Sequence, residues 1–252
     1  MKRRACLVLP SLIAGLSPAA ATAAAPPVKL TGITENLPPL NYLDEDGPQG
    51  FSVELLRLMA AQAGFGLEIQ VLPWVRAVQL AEVDRNSVLF SLTRTPEREA
   101  QFQWVGPIAE RRILLYKLAN RADLKLTQLG DLGSSRIGVV RDSAADRQLQ
   151  AQGLRPGQQL EHGLDDATNL RKLLAGRMEY IVLLDWAAAW NLRQLQLPYD
   201  TLQPVLTQDN SRSYYYGLRP DANPALVRRL QAALDSLRRD GRYDRLRQRY
   251  FR

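Results

Sequence analysis

The stretch SLTRTPER, Ser91 to Arg98, closes a short apolar run, Ser87–Leu92, and breaks forward at Thr95-Pro96. An apolar run of this length, bounded by turn residues, is consistent with a buried strand, and a proline turn directly after it throws the chain off the strand's carboxyl end. In an open α/β sheet that end is where ligands bind. Two groups are set there, the Thr93 hydroxyl and the Arg98 guanidinium. A guanidinium presents a planar fork of donors that matches a carboxylate bidentately, which a lysine ammonium cannot do. Taken alone, Arg98 reads first as a surface cation paired with Glu97 or Glu99, and only the rest of the chain shifts that reading.

Working outward, strands and helices alternate. Upstream, Val28–Ile33 reads as a strand, followed by a proline-rich loop at Leu37-Pro38-Pro39 and an acidic turn at Asp44–Gly47. Val53, Leu56, Met59, Ala60 and Ala63 then form an apolar stripe with helical spacing over Phe51–Ala63. Leu67, Ile69 and Val71 alternate as a strand, and Pro73 precedes a helix over Trp74–Val83. This β-α-β-α-β order implies a mostly parallel open sheet. Downstream, Arg136–Val140 and Tyr180–Leu184 read as strands, and Ala144–Ala151, Ala167–Leu174 and Trp186–Leu195 as helices.

Two β-prone runs, Ile113–Lys117 and Ser213–Leu218, read as connectors. The chain then leaves one lobe (residues 26–115), builds a second (116–215) and returns to finish the first (216–252). The return carries a helix with Asn223 as N-cap, Pro224 at the first helical position and a stripe of Leu226, Leu230, Ala233, Leu234 and Leu237, ended by Gly241.

Composition bounds the class. The 252 residues are 46% hydrophobic and 23% charged, ordinary for a globular chain. Lys2, Arg3 and Arg4, the apolar stretch Ala5–Leu16 and the small residues of Ala19–Ala25 make a Sec-type signal peptide over residues 1–25, which predicts export to the periplasm. The single cysteine, Cys6, lies inside that leader and too early for a lipid anchor, so the exported chain has no thiol for disulfide, metal or nucleophile chemistry. Removing Lys2, Arg3 and Arg4 from the 33 basic residues leaves 30 against 26 acidic ones, lowering the net charge from +7 to +4. Arginines crowd the last helices (Arg228, Arg229, Arg238, Arg239, Arg242, Arg245, Arg247, Arg249, Arg252), but export removes nucleic acid as a partner and a solvated face is the simpler reading. His162 is the only histidine and sits in an expected loop beside Glu161 as a bystander. A Ser-His-Asp triad, a Cys-His pair or a zinc site would each need groups that are missing, so no metal and no cofactor are expected.

Five stretches, PPLNYLDEDGPQGFSVELL (38–56), SLTRTPEREAQF (91–102), LGDLGSSRIGVV (129–140), LLAGRMEYIVLLD (173–185) and DGRYDRLRQRYF (240–251), stand in the order found in one family. The chain resembles the family 3 bacterial extracellular solute-binding proteins, the periplasmic components of polar amino-acid ABC importers. The resemblance implies an α/β, two-lobed type II periplasmic-binding-protein fold with two crossovers and a ligand cleft at the lobe interface. Carried over by position, the family's carboxylate-binding arginine falls on Arg98 and its hydroxyl partner on Thr93, with Ser91 beside it. Trp74 falls on a stacking aromatic, with core packing as the alternative. Leu37 stands where an aromatic often precedes the proline pair, which leaves Tyr42 to take that place. Asp142-Ser143-Ala144 replaces Gly-Ser-Thr, leaving Ser143 to supply the hydroxyl of the second lobe. The ammonium-binding aspartate falls on Asp185, which otherwise caps a helix, in a stretch from Gly176 one residue longer than the family's.

The resemblance implies a monomeric, non-enzymatic periplasmic protein. Such a protein captures a small carboxylate-bearing solute, an amino acid or a derivative, by lobe closure and delivers it to an inner-membrane ABC permease. Two alternatives stay open. One is a dehydratase-like enzyme on the same scaffold, with Asp185, Glu35 or Asp142 as its acid; the other is a sensor that presents the ligand to a membrane receptor. Trp186 and Trp190, four apart on one helix face, read as core or lobe packing. Trp104 is expected beneath a crossover, and one of Tyr214, Tyr215 and Tyr216 at the cleft.

Overall fold

The computed structural model describes residues 28–251; the signal-peptide reading and Cys6 lie outside the described residues. The first unit runs β1 (Lys29–Thr34), a hairpin of β2 (Tyr42–Asp44) and β3 (Gly47–Gln49), α1 (Phe51–Ala63), β4 (Gly66–Val71), α2 (Trp74–Val83) and β5 (Ser87–Thr93). The acidic turn expected at Asp44–Gly47 is the tip of that hairpin. Helix α1 buries Val53, Leu56, Met59, Ala60 and Ala63, the stripe its spacing dictates. Gly50 precedes it at φ 118°, where a Cβ would stand 2.5 Å from the Leu40 carbonyl oxygen, so only glycine fits this turn.

A short 3₁₀ turn, Pro96–Gln101, leads from β5 into β6 (Gln103–Leu118). The second unit follows with β7 (Ile137–Val140), α3 (Ala144–Ala151), β8 (Leu160–Gly163), α4 (Asp166–Leu174), β9 (Tyr180–Leu184) and α5 (Asp185–Gln194). The chain returns along β10 (Leu202–Leu218) and ends in α6 (Pro224–Arg239) and α7 (Arg242–Phe251). The α6 cap is as the sequence dictates: the Asn223 side chain accepts from the Ala225 N–H at 2.9 Å, and Leu226, Leu230, Ala233, Leu234 and Leu237 are buried. One local expectation fails. His162 lies in β8 and not in a loop, and its Nε2 bonds Asp146 Oδ1 at 3.0 Å, bracing α3.

One mixed sheet of eight strands runs through both halves, in the order β4-β1-β5-β10-β6-β9-β7-β8, with the β2–β3 hairpin apart from it. Its outer parts are parallel and carry the helices, while β10 runs antiparallel to β5 and β6, and β6 antiparallel to β9. Strands β6 and β10 are 16 and 17 residues long and run through both halves. Ile113–Tyr116 pair with β9, and Tyr214–Leu218 pair with β5. The linking segments therefore lie just before each of the β-prone connector runs, around Arg111 and Arg212, which face each other where the register breaks.

Each half has its own core. Phe51, Leu56, Met59, Phe90, Val105, Tyr216 and Leu230 belong to the first. Ile113, Ile137, Val139 and Val182, with Tyr116, Leu170 and Ile181 on the other face of the sheet, build the second. This is the two-lobed type II arrangement, with the gap between lobes at the carboxyl ends of the strands.

Candidate functional site

On the first wall, β5 is buried through Leu92 and emerges at Thr93. Ser91 adopts φ 55°, and its hydroxyl turns inward, donating to Asn41 Oδ1 and meeting Ser52 Oγ at 3.0 Å. Asn41 in turn donates to the Glu35 carbonyl at 2.5 Å. Ser91 thus ties the loop after β1 to the start of α1, and its hydroxyl is occupied inside the lobe.

Arg98 is half-buried. Its Nη1 donates to the Thr93 carbonyl at 3.3 Å, and its guanidinium carbon lies 5.5 Å above the Trp74 ring. Arg98, Thr93 and Trp74 therefore come together, as their places in the sequence imply. Neither acidic neighbour neutralises Arg98: Glu99 is bonded by Arg94 Nε at 2.8 Å, and Glu97 is held low first by the Thr95 side chain. Among the described residues Arg98 forms no ion pair. Burial pushes the Glu35 carboxyl up, with the Arg98 charge pulling it partly back. Burial also raises the Tyr214 hydroxyl; Arg111 pulls against that shift and Glu35 adds to it.

Two cavities border the second lobe. One, of about 360 Å³, lies between Leu37, Pro38 and Leu40 of the first lobe and Asp166, Leu184, Trp186 and Trp190 of the second, with Tyr214 on its lining. The other, of about 250 Å³, is walled by Ile113, Val139, Val182 and Leu184 and carries Arg111, Ser143 and Asp166. Arg111 is already matched, its Nη1 2.9 Å from Asp209 Oδ2. The Ser143 hydroxyl accepts from the Asp146 N–H at 3.0 Å and so caps α3. Asp142 is exposed, at φ 58°. Burial, reinforced by the neighbouring Asp165, pushes the Asp166 carboxyl up to about 6.

Asp185 is not brought to this cleft. Its carboxylate is buried at the start of α5, accepting from the Tyr116 hydroxyl at 3.0 Å and from Arg112 and the Tyr199 hydroxyl. Burial drives the Tyr116 hydroxyl far above its ordinary range and Tyr199 to about 12. A separate cavity of about 200 Å³, shared with Glu110, Arg112 and Tyr243, borders this group. The residue that β9 turns to the cleft is Leu184. Tyr42 is half-buried with its ring centroid 4.9 Å from that of Trp190, so it bridges to the second lobe.

Sequence reasoning missed Asp166 and Arg111 as cleft residues, while Tyr214 is the one of the three β10 tyrosines that lines the larger cavity. Asp166 carried the same signal that exposed Arg98, a polar residue just past a strand's carboxyl end, but β8 went unread. No group of three or more His, Cys, Asp and Glu able to hold a metal occurs among the described residues, and among them no helix is long and apolar enough to cross a membrane.

Known proteins resemble this chain in sequence or in fold. The membrane-bound lytic murein transglycosylase F of Ectopseudomonas mendocina is 24% identical over 226 residues, covering 88% of this chain and 46% of that protein. The chain thus spans about half the length of such relatives. The L-arginine-binding protein of Pseudomonas aeruginosa is 26% identical over 247 residues, 91% of this chain and 89% of that one. Substrate-binding domain 2 of Lactococcus lactis GlnP, in its open conformation, superposes with a TM-score of 0.73 at 18% identity, over 91% of this chain and 97% of that one. A histidine kinase sensor domain with similarity to periplasmic binding proteins gives 0.62 at 24%, over 89% and 95%. With residues 30–252 matching its profile, the chain belongs to the bacterial extracellular solute-binding proteins, family 3.

Proposed function

We propose that this protein captures a small carboxylate-bearing solute, an amino acid or a derivative, by closing its two lobes, and delivers it to an inner-membrane ABC permease. The observation that carries the reading is Arg98, a half-buried guanidinium just past the carboxyl end of β5 that forms no ion pair among the described residues. A charge taken out of water is costly unless it is paired, and a ligand carboxylate supplies the pair as the cleft closes. Thr93 and Trp74 flank it, and Ser91 has a positioning role through Asn41. Family membership and the arginine-binding relative support an amino-acid ligand. The leader over residues 1–25 supports a periplasmic location, and we take the protein to act as a monomer.

Little supports catalysis by the acids the sequence offered. Asp185 is occupied by three donors, Asp142 is exposed, and Glu35 stands without an imidazole or thiol partner. A sensory role would use the same closure and differ only in the membrane partner.

The test is a thermal-shift screen of the purified protein against amino acids, amines and organic acids. At about 100 times its dissociation constant a ligand adds roughly 2.7 kcal/mol of stability, which for a chain of this size is a rise of about 5–10 °C. A rise produced only by compounds without a carboxylate would contradict the assignment.

A further inference from the structure

We infer that Asp166, and not Asp185, presents the negative charge of the second lobe to the ligand, so that the solute carries a cationic nitrogen as well as a carboxylate. The inference rests on the cleft being the ligand site. Three observations carry it. First, the position at the end of β9 that faces the cleft is Leu184, while Asp185 lies behind it with Arg112, Tyr116 and Tyr199 as donors. Second, Asp166 borders both cleft cavities, one of them shared with Leu37, Pro38 and Leu40 across the gap.

Third, no described residue pairs with the Asp166 carboxylate. The capping of α4 is done by Asp165, whose Oδ1 accepts from the Thr168 N–H at 2.6 Å. Arg111, the cation of the smaller cavity, is held by Asp209 at 2.9 Å. Among the described residues the Asp166 side chain has no hydrogen bond and no ion pair. A carboxylate kept in this state beside Ile113, Val139, Val182 and Leu184 sits where water is partly excluded and where attraction to a cation is strengthened. Arg98 of the first lobe and Asp166 of the second are thus both without an ion pair among the described residues, and apolar surface lies beside Asp166. That pattern fits a molecule with a carboxylate, a carbon skeleton and a protonated amine or guanidinium.

The test uses two compound sets with wild-type protein, Asp166→Asn, Asp166→Glu and Arg98→Ala. One set is the twenty amino acids; the other is amine-free acids, namely the straight-chain acids from acetate to hexanoate, succinate, glutarate and phenylpyruvate. At least one amino acid is expected to raise the wild-type melting temperature by several degrees, and no amine-free acid to match it. For that amino acid Asp166→Asn should weaken binding at least tenfold by calorimetry, Asp166→Glu should recover part of the loss, and the unliganded Asp166→Asn protein should melt no lower than wild type. Amine-free acids binding as tightly, binding by Asp166→Asn within twofold of wild type, or silence from both sets would overturn the inference. Amine-free acids that bind and depend on Arg98 would sink only the role of Asp166; binding indifferent to Arg98 would sink the cleft reading itself.

Discussion

Leu184 and Asp185 are adjacent, yet they serve opposite sides of the second lobe: Leu184 lines the cleft, and Asp185 accepts from the Tyr116 hydroxyl at 3.0 Å behind it. Leu184 is the last residue of β9 and Asp185 the first of α5, so one residue of length decides which of them a ligand can meet. Asp185 is accordingly a structural acid. Replacing it by alanine leaves the buried Tyr116 hydroxyl without this acceptor, a loss of about 1–3 kcal/mol. Asp185→Ala should melt several degrees lower while its ligand dissociation constant stays within about threefold. Unchanged melting with abolished binding would return Asp185 to the cleft.

Asp166 makes a prediction about pH. Its carboxyl titrates at about 6 in the folded protein against an ordinary value of 3.8, so between these values the folded state holds a proton the unfolded chain has released. Stability contributed by this group falls as pH rises through that window and is lowest above it. Asp166→Asn removes the effect. In melts at pH 4, 5, 6 and 7.5 the variant should gain on wild type as pH rises, and the gap should vanish below pH 4. A gap that is constant across the series would place Asp166 in an ordinary solvated setting.

Trp186 rides on α5 of the second lobe but belongs to the core of the first, its ring centroid 4.9 Å from that of Phe51 and its Nε1 donating to the Glu110 carbonyl at 3.1 Å. Removing such a side chain costs about 3–5 kcal/mol. Trp186→Ala should therefore lower the melting temperature by about 6–20 °C, with Trp190→Ala, half-buried against Tyr42, costing less than half as much. Equal losses for the two would contradict the burial difference.

Much of this is legible in the sequence where local pattern and tertiary role agree. The stripe of α1, the Asn223-Pro224 start of α6 and the apolar run of β5 each carry their own period or cap. Strand β8, LEHG, has no alternation and is held by pairing with β7, so nothing local announces it. The polar stretch Gln208–Arg212 likewise hides the continuity of β10, which long-range pairing with β6 enforces. Arg98, Thr93 and Trp74 are brought together as their positions suggest. The direction of Asp185 is not legible, because it depends on where β9 ends, and strand ends are set by neighbours.

Closure requires a hinge, and we place it at residues 110–112 and 209–213, where the two long strands pass between cores. Hinges are a few residues that absorb the backbone change between rigid units. Small-angle scattering should show a smaller radius of gyration with saturating ligand than without. Prolines at both Glu110 and Ser211 should blunt the change more than the same pair at exposed sites away from the hinge. An unchanged radius at proven saturation would rule out a closing cleft.

The central claim is that a ligand carboxylate pairs with Arg98, and calorimetric titration of wild type, Arg98→Lys and Arg98→Ala with the best amino acid from the screen tests it most directly. Removing one partner from a desolvated charge pair costs about 2–5 kcal/mol, so Arg98→Ala should bind at least about thirtyfold more weakly. Arg98→Lys should lose much of the affinity as well, because the bidentate geometry goes. If Arg98→Ala binds the same amino acid with wild-type affinity, the carboxylate sits elsewhere and the account is wrong at its centre.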